Sequence, residues 1–114
     1  MEFSHRIVDG WNIFTAKGQL SFSNIESVDI FSEQVKEKVK SGEYQYIFDF
    51  TDVDFIDSSG IAIVVLALST AMKHGKPIKI CGLKGEPRKS FEIIRVDFGI
   101  EYHDSLYSAL KTLN

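Results

Sequence analysis

At 114 residues, with 44% apolar and 25% charged side chains, the chain has the size and composition of one globular domain, and wholesale disorder is excluded. A net charge of −3 and a pI near 5.5 argue against a protein that grips nucleic acid, or an anionic membrane surface, through phosphates. The single cysteine, Cys81, leaves no internal disulfide and no CxxC motif; its neighbours Ile78, Ile80 and Leu83 mark it as a core thiol.

Glu2, His5, Arg6 and Asp9 are not the start of a secretory signal, and the longest apolar run, Ile61 to Leu68, falls well short of the roughly 20 residues that span a bilayer. The expectation is a soluble, cytoplasmic protein without direct membrane insertion.

Two alternating segments, Phe3 to Val8 and Trp11 to Ala16, flank Asp9-Gly10, which predicts a type I′ hairpin. Lys17-Gly18 then reads as a turn toward Leu20 and Phe22. Ser23 with Glu26 fits a capping box, and Ile25, Val28, Phe31, Val35 and Val39 follow at helical spacing. Lysines fill the last turns, and Gly42 stops the helix. Tyr44 to Phe50, aromatic and nearly uncharged, reads as a central strand with Asp52, Asp54 and Asp57 at its exit.

Ser58 to His74 runs unbroken for 17 residues, capped by Asp57 or Ser58 and stopped by Gly75 and Pro77, so length makes it a helix. Ile61, Val64, Val65, Leu68 and Met72 are assigned to the sheet side. The other side carries Ala62, Ile63, Leu66 and Ala67, an apolar second face that must meet another element or another protein. Ile78 to Cys81 is a short strand. Glu86-Pro87 opens a helix with Phe91, Ile94 and Phe98 inward, ended by Gly99. Ile100 to Tyr102 forms a last strand, and Asp104 caps a helix with Leu106, Ala109, Leu110 and Leu113 on one side. A hairpin followed by alternating strands and helices predicts a single-domain α/β fold, with a mixed, mainly parallel sheet packed by about four helices.

The chemistry concentrates at Asp57-Ser58-Ser59-Gly60, between an apolar strand and an apolar helix. Its two serines admit three readings: helix caps, an acceptor for a phosphoryl group, or a nucleophile. The nucleophile lacks a G-x-S-x-G elbow and a histidine at a motif-defining spacing. The acids Asp49, Asp52, Asp54 and Asp57 read as turn acids and a cap rather than a magnesium site. No zinc spacing, P-loop or G-x-G-x-x-G is present, so no metal, cofactor or catalytic residue is assigned. Lys79, Lys84, Arg88, Lys89 and Arg95 give the second half positive character, diluted by acids.

The run F-D-F-T-D-V-D-F-I-D-S-S-G-I-A-I-V-V-L resembles the signature of the STAS domain, found in sulfate transporters and bacterial anti-sigma factor antagonists. Gly18-Gln19-Leu20, Gly75-Lys76-Pro77 and Cys81-Gly82-Leu83 match in order, so the resemblance extends over nearly the whole of residues 1–114. It implies a non-enzymatic regulator. The unphosphorylated form would bind an anti-sigma factor that is also a serine kinase, and phosphorylation would release it. By that match Ser58 is the phospho-acceptor, supported by Asp57, Ser59 and Gly60. The docking surface is the apolar face beyond Gly60, with Ala62, Ile63 and Leu66, together with Ser21. A resetting phosphatase is a further candidate partner; nucleic acid is not.

One departure gives an alternative. Ser21 follows Gly18-Gln19-Leu20 where phosphorylated antagonists usually carry Asp, and L-x-F-x-N is nearer to the domain as attached to anion transporters. The alternative is a STAS module of a transporter-associated or stress-signalling scaffold without sigma-factor control.

Overall fold

The computed structural model describes residues 1–94 and 99–111. Strands β1 (Glu2–Val8) and β2 (Trp11–Leu20) are joined by the Asp9-Gly10 turn, whose φ angles of 51° and 82° are the left-handed pair that a type I′ turn requires. The expected turn at Lys17-Gly18 is absent. β2 runs on to Leu20, and the left-handed Gly18 falls where the pairing with β3 slips in register. Its glycine serves a bulge within a strand.

Helix α1 (Ile25–Lys40) buries Val28, Phe31 and Val35, and the chain turns away through Ser41 and Gly42. The capping box does not form. Ser23 lies inside a short 3₁₀ turn (Phe22–Asn24), and Ser21 Oγ accepts from the Ser23 N–H to begin that turn. The α1 N-cap is Asn24, which makes no side-chain capping bond. Strand β3 (Tyr46–Ile56) starts later than expected and extends through the acids that should have marked its exit. Asp52 and Asp54 are exposed strand positions, while Val53 and Ile56 turn inward.

Helix α2 (Ser58–Lys73), β4 (Ile78–Cys81), α3 (Gly85–Ile94), β5 (Ile100–His103) and α4 (Leu106–Lys111) complete the chain. Phe91 is buried as expected; Phe98, Leu113 and the side chain of Ile94 lie outside the described residues. Ser105, rather than Asp104, caps α4, its Oγ accepting from the Ser108 N–H at 3.1 Å.

The sheet order is β1-β2-β3-β4-β5, with β1 antiparallel to β2 and every other pair parallel. Successive parallel strands are thus added always in the same direction. Crossovers of one hand then place α1, α2 and α3 on the same face. The main core lies there, with Phe14, Phe31, Tyr46, Phe48, Phe50 and Phe91 among its largest members. Among the described residues no strand follows β5, and α4 covers the opposite face over Trp11, Ile13, Ile47 and Cys81.

Cys81 is a core thiol, as expected: burial, and then the Asp49 carboxylate, push its pKa up to about 12, against an opposing pull from Lys79. Lys79 itself is buried under α4. Its ammonium donates to the Ala109 carbonyl at 3.0 Å and lies 4.9 Å from the Trp11 ring centroid, so it adds nothing to a basic surface.

Candidate functional site

Where β2 and β3 end side by side, the chain enters α2 through Asp57. Its backbone is extended, and its N–H donates to the Leu20 carbonyl at 3.0 Å. Its carboxylate is divided between two elements. Oδ1 accepts from the N–H of Ser59 at 2.9 Å and from the Ser59 hydroxyl; Oδ2 accepts from the N–H of Phe22 at 3.0 Å. Gly60 and Ile61 N–H groups reach the Asp57 carbonyl, both at 3.1 Å. Burial raises the Asp57 pKa, but the Ser59 hydroxyl and the backbone N–H groups of Phe22, Ser59 and Gly60 outweigh it, and the net shift is downward.

Asp57 is therefore the cap, and it ties the start of α2 to the loop after β2. Gly60 permits that closeness. A Cβ there would lie 2.6 Å from Ile56 Cγ1, 2.7 Å from Leu20 Cβ and 2.8 Å from the Leu20 carbonyl oxygen. Ser59 is bound to the cap, which leaves Ser58. Its side chain is exposed and has no hydrogen-bond partner among the described residues.

Ser58 hydrogen-bonds to none of the three histidines. His5 bonds to Asn12 at 2.8 Å, His103 to Glu101 at 2.6 Å, and His74 is the C-cap at the far end of α2, about 24 Å away at the helical rise. Asp49 accepts from the Thr51 N–H and hydroxyl. Among the described residues no three His, Cys, Asp or Glu side chains cluster as a metal-ligand set, and no helix is long and apolar enough to cross a membrane.

The outer face of α2 differs from the sequence expectation. Ile63 (1% exposed) and Ala67 turn inward, whereas Val65 (42%) and Met72 (43%), assigned to the sheet, face out. A helix apolar on every side from Ile61 to Leu68 has no polar stripe there to fix its rotation; here packing against both the sheet and α1 fixes it. Ser21, at 2% exposed, is likewise inside, occupied in its 3₁₀ cap. Ser21 and Ile63 thus offer no side chain to a partner, and Leu66 is half-buried against the core.

What is presented is Ser58, Ala62, Val65, Ser69 and Met72, spaced four and three apart along one exposed stripe. Phe22 (66% exposed) and Phe55 (46%) stand at the same end of the sheet as Ser58. The stripe was missed because Val65 and Met72 look like core residues. Ser58 and Ser69, 11 positions apart on one helical face, were its only polar markers.

The family model described as STAS domain matches residues 2–110. BtrV of Bordetella bronchiseptica, named as a "putative anti-sigma factor antagonist", is 27% identical over 86 residues, covering 75% of this chain and 72% of that protein. The phosphorylated form of the Bacillus cell fate determinant SpoIIAA superimposes with a TM-score of 0.78 at 16% identity, covering 99% of this chain and 100% of the other. A Thermotoga maritima protein described as a "putative anti-sigma factor antagonist" gives a TM-score of 0.78 at 22% identity, with 96% and 92% covered. At these identities the structural likenesses establish the fold.

Proposed function

The chain belongs to the STAS domain family, and on that premise we propose that it is an anti-sigma factor antagonist switched at Ser58. Its partner is an anti-sigma factor with serine-kinase activity, bound while Ser58 is unmodified. A phosphatase that removes the phosphoryl group would reset the switch. The chain is the substrate of the kinase and performs no catalysis of its own.

One observation carries this reading: Ser58 has an exposed hydroxyl, without a partner among the described residues, at a helix start whose capping is already done by Asp57. A serine needed as a cap would lose its structural role on modification, but this one has none to lose. The surface available for docking is the stripe of Ala62, Val65 and Met72, with Phe22 and Phe55 beside it.

Phosphorylation joins Ser58 Oγ to the terminal phosphorus of ATP, with ADP leaving and the hydroxyl proton passing to a base of the kinase. The product carries close to two negative charges. The positive end of α2 favours that charge locally, so the helix persists. A docked partner must instead desolvate it beside the Asp57 carboxylate, and binding is lost by repulsion at the interface.

Titration of the kinase-type anti-sigma factor from the same organism tests this. Wild type and Ser58→Ala are expected to bind alike, and Ser58→Glu at least about tenfold more weakly. Equal binding by Ser58→Glu would remove the repulsion account.

A further inference from the structure

The sheet ends on one side in β1, and nothing among the described residues pairs with its outer edge. The two-residue turn makes Val8 and Trp11 a hydrogen-bonded pair. Alternation then directs the N–H and C=O groups of Glu2, Ser4, Arg6 and Val8 toward β2. Those of Phe3, His5 and Ile7 point toward the open edge. This edge is seven residues long and contains neither proline nor glycine. Natural sheets usually blunt such an edge with a proline, a bulge, shortness or charged side chains. Of these β1 has only charge, at Glu2 and Arg6, one of each sign.

We propose that β1 is a homodimer interface, pairing antiparallel with β1 of a second copy about a twofold axis through Ser4, so that two five-stranded sheets become one. Charge selects the register. With the axis at Ser4, Phe3 meets His5 of the second copy through their free backbone groups, and Glu2 lies opposite Arg6 of the second copy, twice by symmetry. Lys17 flanks Glu2 on its own sheet, so positive, negative and positive side chains follow one another across the junction.

An axis at Arg6 would set two Arg6 side chains against each other, and the register that engages Phe3, His5 and Ile7 together has its axis at His5. It sets Glu2 against Val8 and Arg6 against Ser4, and matches no charge. The Ser4 register also brings Met1 over Ile7 of the second copy, covering an aliphatic side chain that is 55% exposed in the single chain. On the helix side, a groove of about 380 Å³ between β1 and α1, lined by Phe3, His5, Gln34 and Glu37, leaves room for incoming side chains. The interface is independent of Ser58, which opens α2 beyond the end of β3.

Sedimentation velocity over a concentration series is the test, using wild type, Glu2→Arg, Arg6→Glu and the double swap. Wild type is expected to dimerise as concentration rises. Each single variant turns two attractions into two repulsions and should raise the dimer Kd by about tenfold or more. The double swap should recover most of that loss, short of the wild-type Kd because position 2 then carries a positive charge beside Lys17. Mixing the two single variants should yield a heterodimer, which also shows that both fold. A wild type that stays monomeric throughout would overturn the proposal, as would single variants that dimerise undiminished or a double swap that fails to rescue.

Discussion

The two ends of α2 are finished in different ways. At the C-terminal end the cap residue is engaged locally. The N–H of His74 donates to the Ala71 carbonyl and its ring Nδ1 contacts the Thr70 carbonyl at 3.0 Å, while the ring stacks on Tyr44 at 4.0 Å. At the N-terminal end the Asp57 carboxylate satisfies groups from two elements, Gly60 lets the backbones close together, and one hydroxyl is left over. A helix end that is complete without Ser58 can carry a modification there without being rebuilt.

Substitutions can break this contrast in graded steps. The largest stability effect is expected for Gly60→Ala. The added methyl meets the Leu20 carbonyl oxygen, a backbone atom with little freedom to move, so a loss of about 2–3 kcal/mol is expected in urea denaturation. Asp57→Ala removes the cap and frees the loop at Phe22, with an expected loss of about 1–2 kcal/mol by the same assay.

Asp57 also gives the contrast a pH signature. Its folded-state pKa lies below the ordinary 3.8, so below neutrality the unfolded chain takes up this proton first. The stabilisation it provides is full above the unfolded value and is lost as pH falls through the folded one. Asp57→Asn keeps a capping oxygen and should flatten that part of the acid limb in a series of denaturant titrations. Wild type and variant with parallel acid limbs would contradict the cap assignment.

At the other end, His74→Ala should cost only about 0.5 kcal/mol, since an exposed ring and a C-cap contact are lost while the backbone bonds remain. Smallest of all is Ser58→Ala, expected within about 0.5 kcal/mol of wild type because no partner is removed. A loss near that of Asp57→Ala would return Ser58 to a structural role.

Much of this contrast was legible in the sequence, and the misses share a cause. Asp9-Gly10, Asp57, Gly42 and Gly75 were readable because local backbone geometry dictates them. The element order followed, and with it the mixed sheet. Ser23 failed as a cap because Ser21 begins the 3₁₀ turn first. Gly18 failed as a turn because a strand can absorb a bulge. The rotation of α2 was not legible at all, since apolar residues surround the helix and only its seat against β3 and α1 decides between Ile63 and Val65. Ser58 was identified through a family resemblance; its idle hydroxyl became visible only when the partners of Asp57 and Ser59 were placed.

The most direct measurement is the intact mass of the protein purified from its native cells, across growth and stress conditions, for wild type and Ser58→Ala. The account predicts a species heavier by one phosphoryl group in the wild type and none in the variant. Absence of that species under every condition, or its persistence in Ser58→Ala, would contradict the Ser58 switch and favour a scaffold role for the same fold.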